Sequence, residues 1–136
     1  MKIEGGCLCG KVRYAADVDP AFVGICHCKD CQKMGTAFNL VVGIPTQALS
    51  LQGALKTFSS RGDSGRAVDR RFCPECGAAI LSEAGGLPGV AIIKAGTLDD
   101  TSWVKPEMEI YCDSAQPWVQ LAGERQRFPK MPPAPT

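Results

Sequence analysis

The sequence predicts a mostly β protein built from short strands that are separated by turns. Glycine and proline are abundant, with 15 and 10 copies in 136 residues, and both favour turns over long helices. No stretch of a dozen residues carries the apolar spacing of an amphipathic helix. A chain of this length can bury roughly two-thirds of its unfolded surface, so we expect one domain with its own core.

Short apolar or alternating runs mark the predicted strands, which are residues 11–14, 38–44, 68–72, 90–94, 108–112 and 118–121. Two short helical turns are predicted at residues 29–34 and 45–49. We expect the domain to cover residues 1–128. The Pro-rich residues 129–136 are expected to form a mobile tail, because they have little to bury.

The charge and hydropathy of the sequence exclude some classes of function. The formal net charge is only +1, which gives no electrostatic basis for binding nucleic acid or a membrane surface. No run approaches the roughly 18 apolar residues of a transmembrane helix, and the first cysteine precedes any apolar stretch of the signal-peptide kind. We therefore expect a cytoplasmic protein. In a reducing compartment, eight cysteines at short spacings are typical of metal ligands rather than disulfides.

Seven of the eight cysteines fall into three short motifs. These are Cys7-x-Cys9, Cys26-x-Cys28-x-x-Cys31 and Cys73-x-x-Cys76, and Cys112 stands alone. Residues two apart on an extended chain project to the same face, and Cys-x-x-Cys brings its sulfurs together across a tight turn. Pro74 and Gly77 favour such a turn, since proline fixes φ and glycine accepts a left-handed conformation. The spacing predicts zinc sites.

The motifs can be divided between two zinc ions in more than one way. A structural zinc needs four protein ligands, whereas a catalytic zinc keeps three and an open position. Our interpretation is a closed tetrad, Cys7, Cys9, Cys73 and Cys76, and an open triplet, Cys26, Cys28 and Cys31. A rival partition joins the last two cysteines of the triplet to Cys73 and Cys76, and leaves three ligand-spaced thiols unused. In a further alternative, both zincs are structural and Cys112, His27 or a carboxylate completes the triplet.

Six motifs, in order, resemble the glutathione-dependent formaldehyde-activating enzyme family, whose domain is also found in centromere protein V. The motifs are Gly5-Gly6-Cys7-Leu8-Cys9-Gly10, Cys26-His27-Cys28-x-x-Cys31, Gly35-Thr36-Ala37-Phe38, Arg70-x-Phe72-Cys73-Pro74-x-Cys76-Gly77, Ala95-Gly96-Thr97-Leu98-Asp99-Asp100 and Ser114-Ala115-Gln116-Pro117-Trp118. The resemblance extends from about residue 5 to residue 121. The enzyme that names the family is longer than this chain.

The resemblance implies a β-tent fold of several short antiparallel sheets with two zinc ions. It implies that the tetrad holds the structural zinc and that the triplet holds the catalytic zinc. The implied activity is that of a carbon–sulfur lyase, which joins glutathione to formaldehyde as S-hydroxymethylglutathione. The expected partners are therefore a small thiol and a small aldehyde. The alternative function is a non-enzymatic zinc module that binds a partner protein or chromatin.

The chemistry of an open triplet limits what it can do. Three thiolates leave zinc with a net negative charge, so it is a poor Lewis acid but can still hold an incoming thiolate. Candidate partners for the carboxylates of glutathione are Arg61, Arg66, Arg70 and Arg71, which could equally form a solvated loop balanced by aspartates. His27 lies between two ligands of an extended segment, so its side chain should point away from the sulfurs. The sequence identifies no proton donor. Asp99 and Asp100 are expected in a turn, and Trp103 and Trp118 in the core or at its rim.

Overall fold

The computed structural model describes residues 1–133. The strands in this range are β1 Lys2–Gly6, β2 Arg13–Asp17, β3 Phe22–Cys26, β4 Asn39–Pro45, β5 Ser50–Gln52, β6 Lys56–Arg61, β7 Ala67–Phe72, β8 Ala79–Ala84, β9 Val90–Lys94, β10 Met108–Ile110 and β11 Gln126–Arg127. A short helix, α1, covers Lys29–Met34, and 3-10 turns cover Thr46–Ala48, Ala95–Thr97 and Cys112–Ser114.

The strands form two sheets. The smaller sheet has the order β1-β2-β5, and the larger has the order β11-β10-β3-β4-β9-β8-β7-β6. Neighbouring strands are antiparallel except at one edge of the larger sheet, where β10 runs parallel to both β3 and β11. This edge brings the C-terminal part of the chain beside β3, the strand that ends at Cys26.

The hydrophobic core lies between the two sheets. Ile3 and Tyr14 of the smaller sheet share one buried cluster with Val42, Leu81 and Ile93 of the larger sheet. The last three residues lie in register across β4, β9 and β8, so they present one continuous apolar surface. Because side chains alternate along a strand, the residues next to them in sequence face the other side of the larger sheet.

That other side is called the site face below, and it carries Cys26, Val41, Lys94 and Arg70. Val41 pairs with Lys94 across β4 and β9, and side chains of directly paired residues share a face. Val41 also pairs with Gly24, two residues before Cys26, so Cys26 faces the same way. Arg70 joins this face through its pairing with Ser82 and the pairing of Ser82 with β9.

The mostly β class predicted from the sequence is confirmed. The predicted strands at 38–44, 68–72 and 90–94 correspond to β4, β7 and β9, and the helical turn at 29–34 is α1. The turn predicted at 45–49 is the 3-10 turn Thr46–Ala48. These segments were predictable because their apolar patterns and the bounding prolines and glycines act locally.

Three predicted strands differ from the structure. The strand at 11–14 is displaced to β2, Arg13–Asp17, because residues 11 and 12 belong to the Cys7 turn, in which the Cys7 amide donates to the Val12 carbonyl at 3.0 Å. The strand at 108–112 ends at Ile110, because Tyr111 has a left-handed backbone with φ 56° and a 3-10 turn follows it. The strand predicted at 118–121 is wrong. Trp118 lies in a turn closed by the bond from the Val119 amide to the Gln116 carbonyl, and 69% of its surface is exposed, so this segment pairs with no strand.

Residues 129–136, expected as a mobile tail, begin against the segment that follows β10. The carbonyl of Pro129 accepts a hydrogen bond from the Asp113 amide at 3.2 Å, and the carbonyl of Lys130 accepts one from the Tyr111 amide at 3.2 Å. Residues 134–136 of that tail lie outside the described residues. The domain boundary at residue 128 stays a prediction.

Candidate metal centres

The tetrad joins two turns that are distant in sequence. Cys9 and Cys73 are 64 residues apart, yet their sulfurs lie 3.7 Å from each other. The sulfurs of Cys7 and Cys9 lie 3.6 Å apart, and all four tetrad sulfurs are within 4.8 Å of one another. Zinc with bonds of about 2.3 Å to four tetrahedral sulfurs spaces them by about 3.8 Å. The donor set and its spacing therefore fit zinc.

Two glycines shape the tetrad by closing its turns. The Gly77 amide donates to the Cys73 carbonyl at 2.9 Å, and the Gly10 amide donates to the Cys7 carbonyl at 3.3 Å. Both glycines are left-handed, with φ of 77° and 82°, a conformation that strains other residues. The left-handed turn predicted at Gly77 is thus confirmed, and Gly10 plays the same part in the other motif. The backbone holds both cysteine pairs in place.

Hydrogen bonds within the tetrad show how the four sulfurs share protons. Burial opposes ionisation of Cys7, but the Val12 amide, at 3.2 Å from its sulfur, and the neighbouring thiols lower its pKa to about 6. The Lys11 amide favours the Cys9 thiolate, yet burial and the same thiols raise the pKa of Cys9 to about 11. Four close sulfurs cannot all ionise without a cation between them, and a bound metal displaces the remaining protons.

The triplet is assembled where β3 passes into α1. Cys26 is the last residue of β3, Cys28 is the N-cap of α1, and Cys31 lies in the first turn of that helix. Their three sulfurs lie within 4.8 Å of one another. Among residues 1–133, no fourth cysteine, histidine or carboxylate ligand atom belongs to this group. Three sulfur donors and no protein fourth ligand fit a zinc ion with one open position.

The three triplet thiols shift one another's pKa values in opposite directions. Hydrogen bonds from the Cys26 and Cys31 thiols lower the pKa of Cys28 well below its ordinary value. Contacts with Cys28 and then Cys31 are the main causes that raise the pKa of Cys26. Thiols this close to one another are placed as ligands for a cation, and a bound cation would displace their remaining protons.

Lys94 brings positive charge to the triplet from the end of β9. Burial lowers the pKa of Lys94, and the charges of the triplet sulfurs, chiefly Cys31, act in the opposite direction. Within the described part of the chain, Lys94 has no carboxylate within the 4.0 Å of an ion pair. A half-buried ammonium group with no protein counter-ion can take an anionic ligand.

The four candidate arginines do not act together. Arg61 donates to the Gly65 carbonyl at 2.7 Å within its own turn, and Arg66 donates to the Gly85 carbonyl at 3.4 Å, which joins two neighbouring loops. Arg71 forms an ion pair of 3.0 Å with Glu83. Only Arg70 faces the triplet: it donates to Ser60 and lies 3.5 Å from Asp30 in the first turn of α1.

His27 points away from the triplet, as its place in an extended segment predicts. Its Nε2 lies 2.7 Å from Oε1 of Glu109, and its ring centroid lies 5.9 Å from that of Phe38. The histidine and the glutamate are 2% and 4% exposed. His27 therefore belongs to a buried network on the core side of β3.

His27, Glu109 and Cys112 form a third close group, with ligand atoms within 4.8 Å of one another. Glu109 already faces two cations, Arg125 at 2.7 Å and Arg127 at 3.0 Å, and these would repel a metal ion. Burial and the charge of Glu109 raise the pKa of Cys112, whose thiol lies 3.6 Å from the Glu109 carbonyl as a weak donor. His27, Glu109 and the two arginines form an ion-pair network, and Cys112 lies beside it at the start of a 3-10 turn.

The remaining candidates have structural roles. Asp99 forms a bidentate pair with Arg13, one of whose bonds is 2.9 Å long, and Asp100 accepts from the Ser102 amide at 2.9 Å, which fits the predicted turn. Trp103 packs against the core, whereas Trp118 is exposed.

Lys94 and Glu109 were missed by sequence reasoning. Each has a weak signal: Lys94 is a lone charge at the end of an apolar strand, and Glu109 is a charge within a three-residue strand whose other members are apolar. Neither signal identifies the residues that lie near Lys94 or Glu109 in the fold, because those residues come from distant segments.

Two packed sheets with two clusters of cysteines that could hold metal ions define a predominantly β protein. The sequence model of the family described as glutathione-dependent formaldehyde-activating enzyme matches residues 2–114. The chain belongs to this family. A search among functionally curated proteins found no significant match.

A solved structure supports the fold. The chain is similar to the crystal structure of a Rhodobacter sphaeroides protein determined as a structural genomics target, with a TM-score of 0.61 and 19% sequence identity. The match covers 91% of this chain and 98% of that one.

None of the helices in residues 1–133 is long and apolar enough to cross a bilayer.

Proposed function

We propose that the protein is a zinc-dependent enzyme of the carbon–sulfur lyase type. In this proposal the triplet zinc binds a thiol such as glutathione, and the thiol adds to formaldehyde or a related small aldehyde. The tetrad holds a second, structural zinc. The eight free cysteines serve mainly as ligands, which suits a reducing compartment such as the cytoplasm.

One observation carries the proposal: the triplet offers three sulfurs and no fourth protein ligand among the described residues. A purely structural site closes its coordination with four protein ligands, as the tetrad does. Family membership over residues 2–114 adds thiol and aldehyde as the substrate classes. Cys28 and Cys31 are also partly exposed and lie outside the buried core cluster, which favours access of a small molecule to this site.

Zinc at the triplet would supply a position at which an incoming thiol gives up its proton and remains a thiolate. The sulfur lone pair then forms the new bond to the carbonyl carbon of the aldehyde. The π electrons of the C=O bond move to oxygen, which takes a proton from water, while the thiol proton has gone to solvent. The chain positions the thiolate, and proximity lowers the barrier to the addition.

The charges of the site face favour an anionic thiol. Lys94 has a half-buried ammonium group and forms no ion pair with a carboxylate among residues 1–133, whereas Arg70 is already paired with Asp30. Glutathione carries two carboxylates, and a hydrogen bond between ammonium and carboxylate is stronger than one between neutral groups. Lys94 is therefore the residue proposed to select a carboxylate-bearing thiol.

The test is the rate at which glutathione and labelled formaldehyde exchange with their adduct, followed by carbon NMR. The wild type should accelerate the exchange over the uncatalysed rate. Cys28→Ser, which removes a triplet ligand, should not. Two tightly held zincs without any acceleration would instead support the alternative, a structural zinc module that binds another macromolecule.

A further inference from the structure

Glu109 lies at the centre of a buried ion-pair network. Its Oε1 lies 2.7 Å from Nε2 of His27, and its Oε2 lies 2.7 Å from Arg125 and 3.0 Å from Arg127. Side-chain exposure is 6% for Glu109 and 8% for Arg125, but 48% for Arg127. Burying such charges costs free energy unless they are paired, so removing the inner arginine would leave the carboxylate poorly compensated.

The network reaches the triplet through His27, the residue between Cys26 and Cys28. Both the backbone amide and the side chain of His27 bond to the C-terminal part of the chain. The His27 amide donates to the Ile110 carbonyl at 3.0 Å, and the imidazole meets Glu109. The stretch of backbone that carries the first two triplet sulfurs therefore cannot turn without breaking these bonds.

Gln32 binds the same segment through the His27 carbonyl. Its amide nitrogen donates to the His27 carbonyl at 2.7 Å and to the Ser114 carbonyl at 2.8 Å. Gln116 in turn donates to the Gln32 side-chain oxygen at 2.8 Å. The helix that carries Cys31 is thus joined to the same C-terminal segment as the strand that carries Cys26.

Part of this support comes from outside the family match. The match ends at residue 114, and Arg125 and Arg127 lie beyond both the match and the six motifs. Arg127 stands directly opposite Glu109 in the parallel pairing of β11 with β10. These two arginines therefore contribute contacts that the family pattern alone does not describe.

We propose that Glu109 is a positioning residue that fixes the triplet geometry through His27, and that Arg125 holds Glu109 in place. The proposal rests on the triplet being a metal site, as in the proposed function. A ligand whose supporting hydrogen bonds are lost typically binds its metal 10–100-fold more weakly. Loss of Arg125 should therefore loosen the metal at the triplet and leave the tetrad metal unaffected.

The test measures how fast each zinc passes to the chelator pyridylazoresorcinol in Arg125→Met. We expect the more labile of two zincs to leave about tenfold faster or more, and the other at the wild-type rate. Arg127→Met, which removes the exposed partner of the same carboxylate, should change the rate much less. Arg125→Lys should restore part of the retention. In cobalt-substituted protein, Arg125→Met should also shift the visible absorption of the triplet ion.

Ile44→Val, a conservative change in the buried core at a residue that belongs to neither cysteine cluster, gives the control for general destabilisation. Unchanged zinc release in Arg125→Met would overturn the positioning role. Equal acceleration of the release of both zincs would also overturn it, if a control variant with the same melting temperature shows the same acceleration. If Arg125→Met does not fold, Glu109→Gln decides by the same criteria, since it keeps the shape of the side chain and removes the charge that Arg125 and Arg127 face. A wild type with a single bound zinc would overturn the proposed function as well, whereas two zincs with unchanged release would overturn only the positioning role.

Discussion

The sulfur of Cys28 accepts a hydrogen bond from the amide of Cys31 at 3.2 Å. This bond starts α1, because an N-cap side chain satisfies one of the free amides of the first turn. The same sulfur belongs to the triplet. Helix initiation and ligand placement are therefore one local event, and one turn of backbone fixes two of the three sulfurs.

Cys28→Ser should release one zinc and leave the other. Serine is a preferred N-cap residue, so the helix start should survive and the melting temperature should change by only a few degrees. Zinc per chain, measured by elemental analysis, should fall from two to one. Unfolding with loss of both metals would contradict the separation of the two sites.

Cys73→Ser should have the opposite effect on folding. Cys73 is fully buried in the core, and binding of a structural zinc contributes on the order of 10 kcal/mol to folding, comparable to the whole stability of a domain. The folded yield should therefore drop severely. Cys112→Ser, which alters a thiol outside the tetrad and the triplet, is the matched control and should retain two zincs. A folded Cys73→Ser variant with two zincs would contradict the tetrad assignment.

Stability should depend on metal and not on disulfides. All eight cysteines are free thiols in the structure, and the tetrad sulfurs are spaced as zinc ligands are. Thermal unfolding with and without a non-chelating reductant should give the same melting temperature, whereas a strong chelator should lower it. A large drop in melting temperature in reductant, together with no effect of the chelator, would indicate disulfides instead.

Lys94→Met should weaken binding of a carboxylate-bearing thiol more than that of a neutral one. The expected loss for mercaptopropionate is about fivefold to tenfold, the range for a partly exposed charged hydrogen bond, with little change for mercaptoethanol. Lys33→Met, an exposed lysine in the last turn of α1, is the control. Equal losses for both thiols would mean that Lys94 only balances the charge of the metal centre.

The sequence predicted those parts of the fold and site that depend on neighbouring residues. Strands β4, β7 and β9 and helix α1 follow from short apolar runs and the breakers around them. The cysteine motifs are also local, since their spacing determines whether two sulfurs can meet. The pairing of Cys9 with Cys73 was inferred from the number of ligands that zinc needs.

Long-range partnerships were not predictable in the same way. The approach of Lys94 to the triplet depends on the register between β4 and β9, which local patterns do not specify. Glu109 meets His27 because β10 pairs in parallel with β3, a pairing between segments more than 80 residues apart, and it meets Arg125 because the segment that leads into β11 lies on the other side of β10. Arg70 and Arg71 do not act together because consecutive residues of β7 face opposite sides of the sheet, and Arg61 and Arg66 instead donate to loop carbonyls.

The most direct measurement is a titration of cobalt-substituted protein with glutathione, followed by visible absorption. A thiolate that enters the open position of the triplet should intensify and shift the cobalt bands, saturating at one thiol per chain. Cys28→Ser, with cobalt only in the tetrad, should show no change under the same conditions. Wild-type spectra that stay unchanged at all glutathione concentrations would contradict an open thiol-binding site.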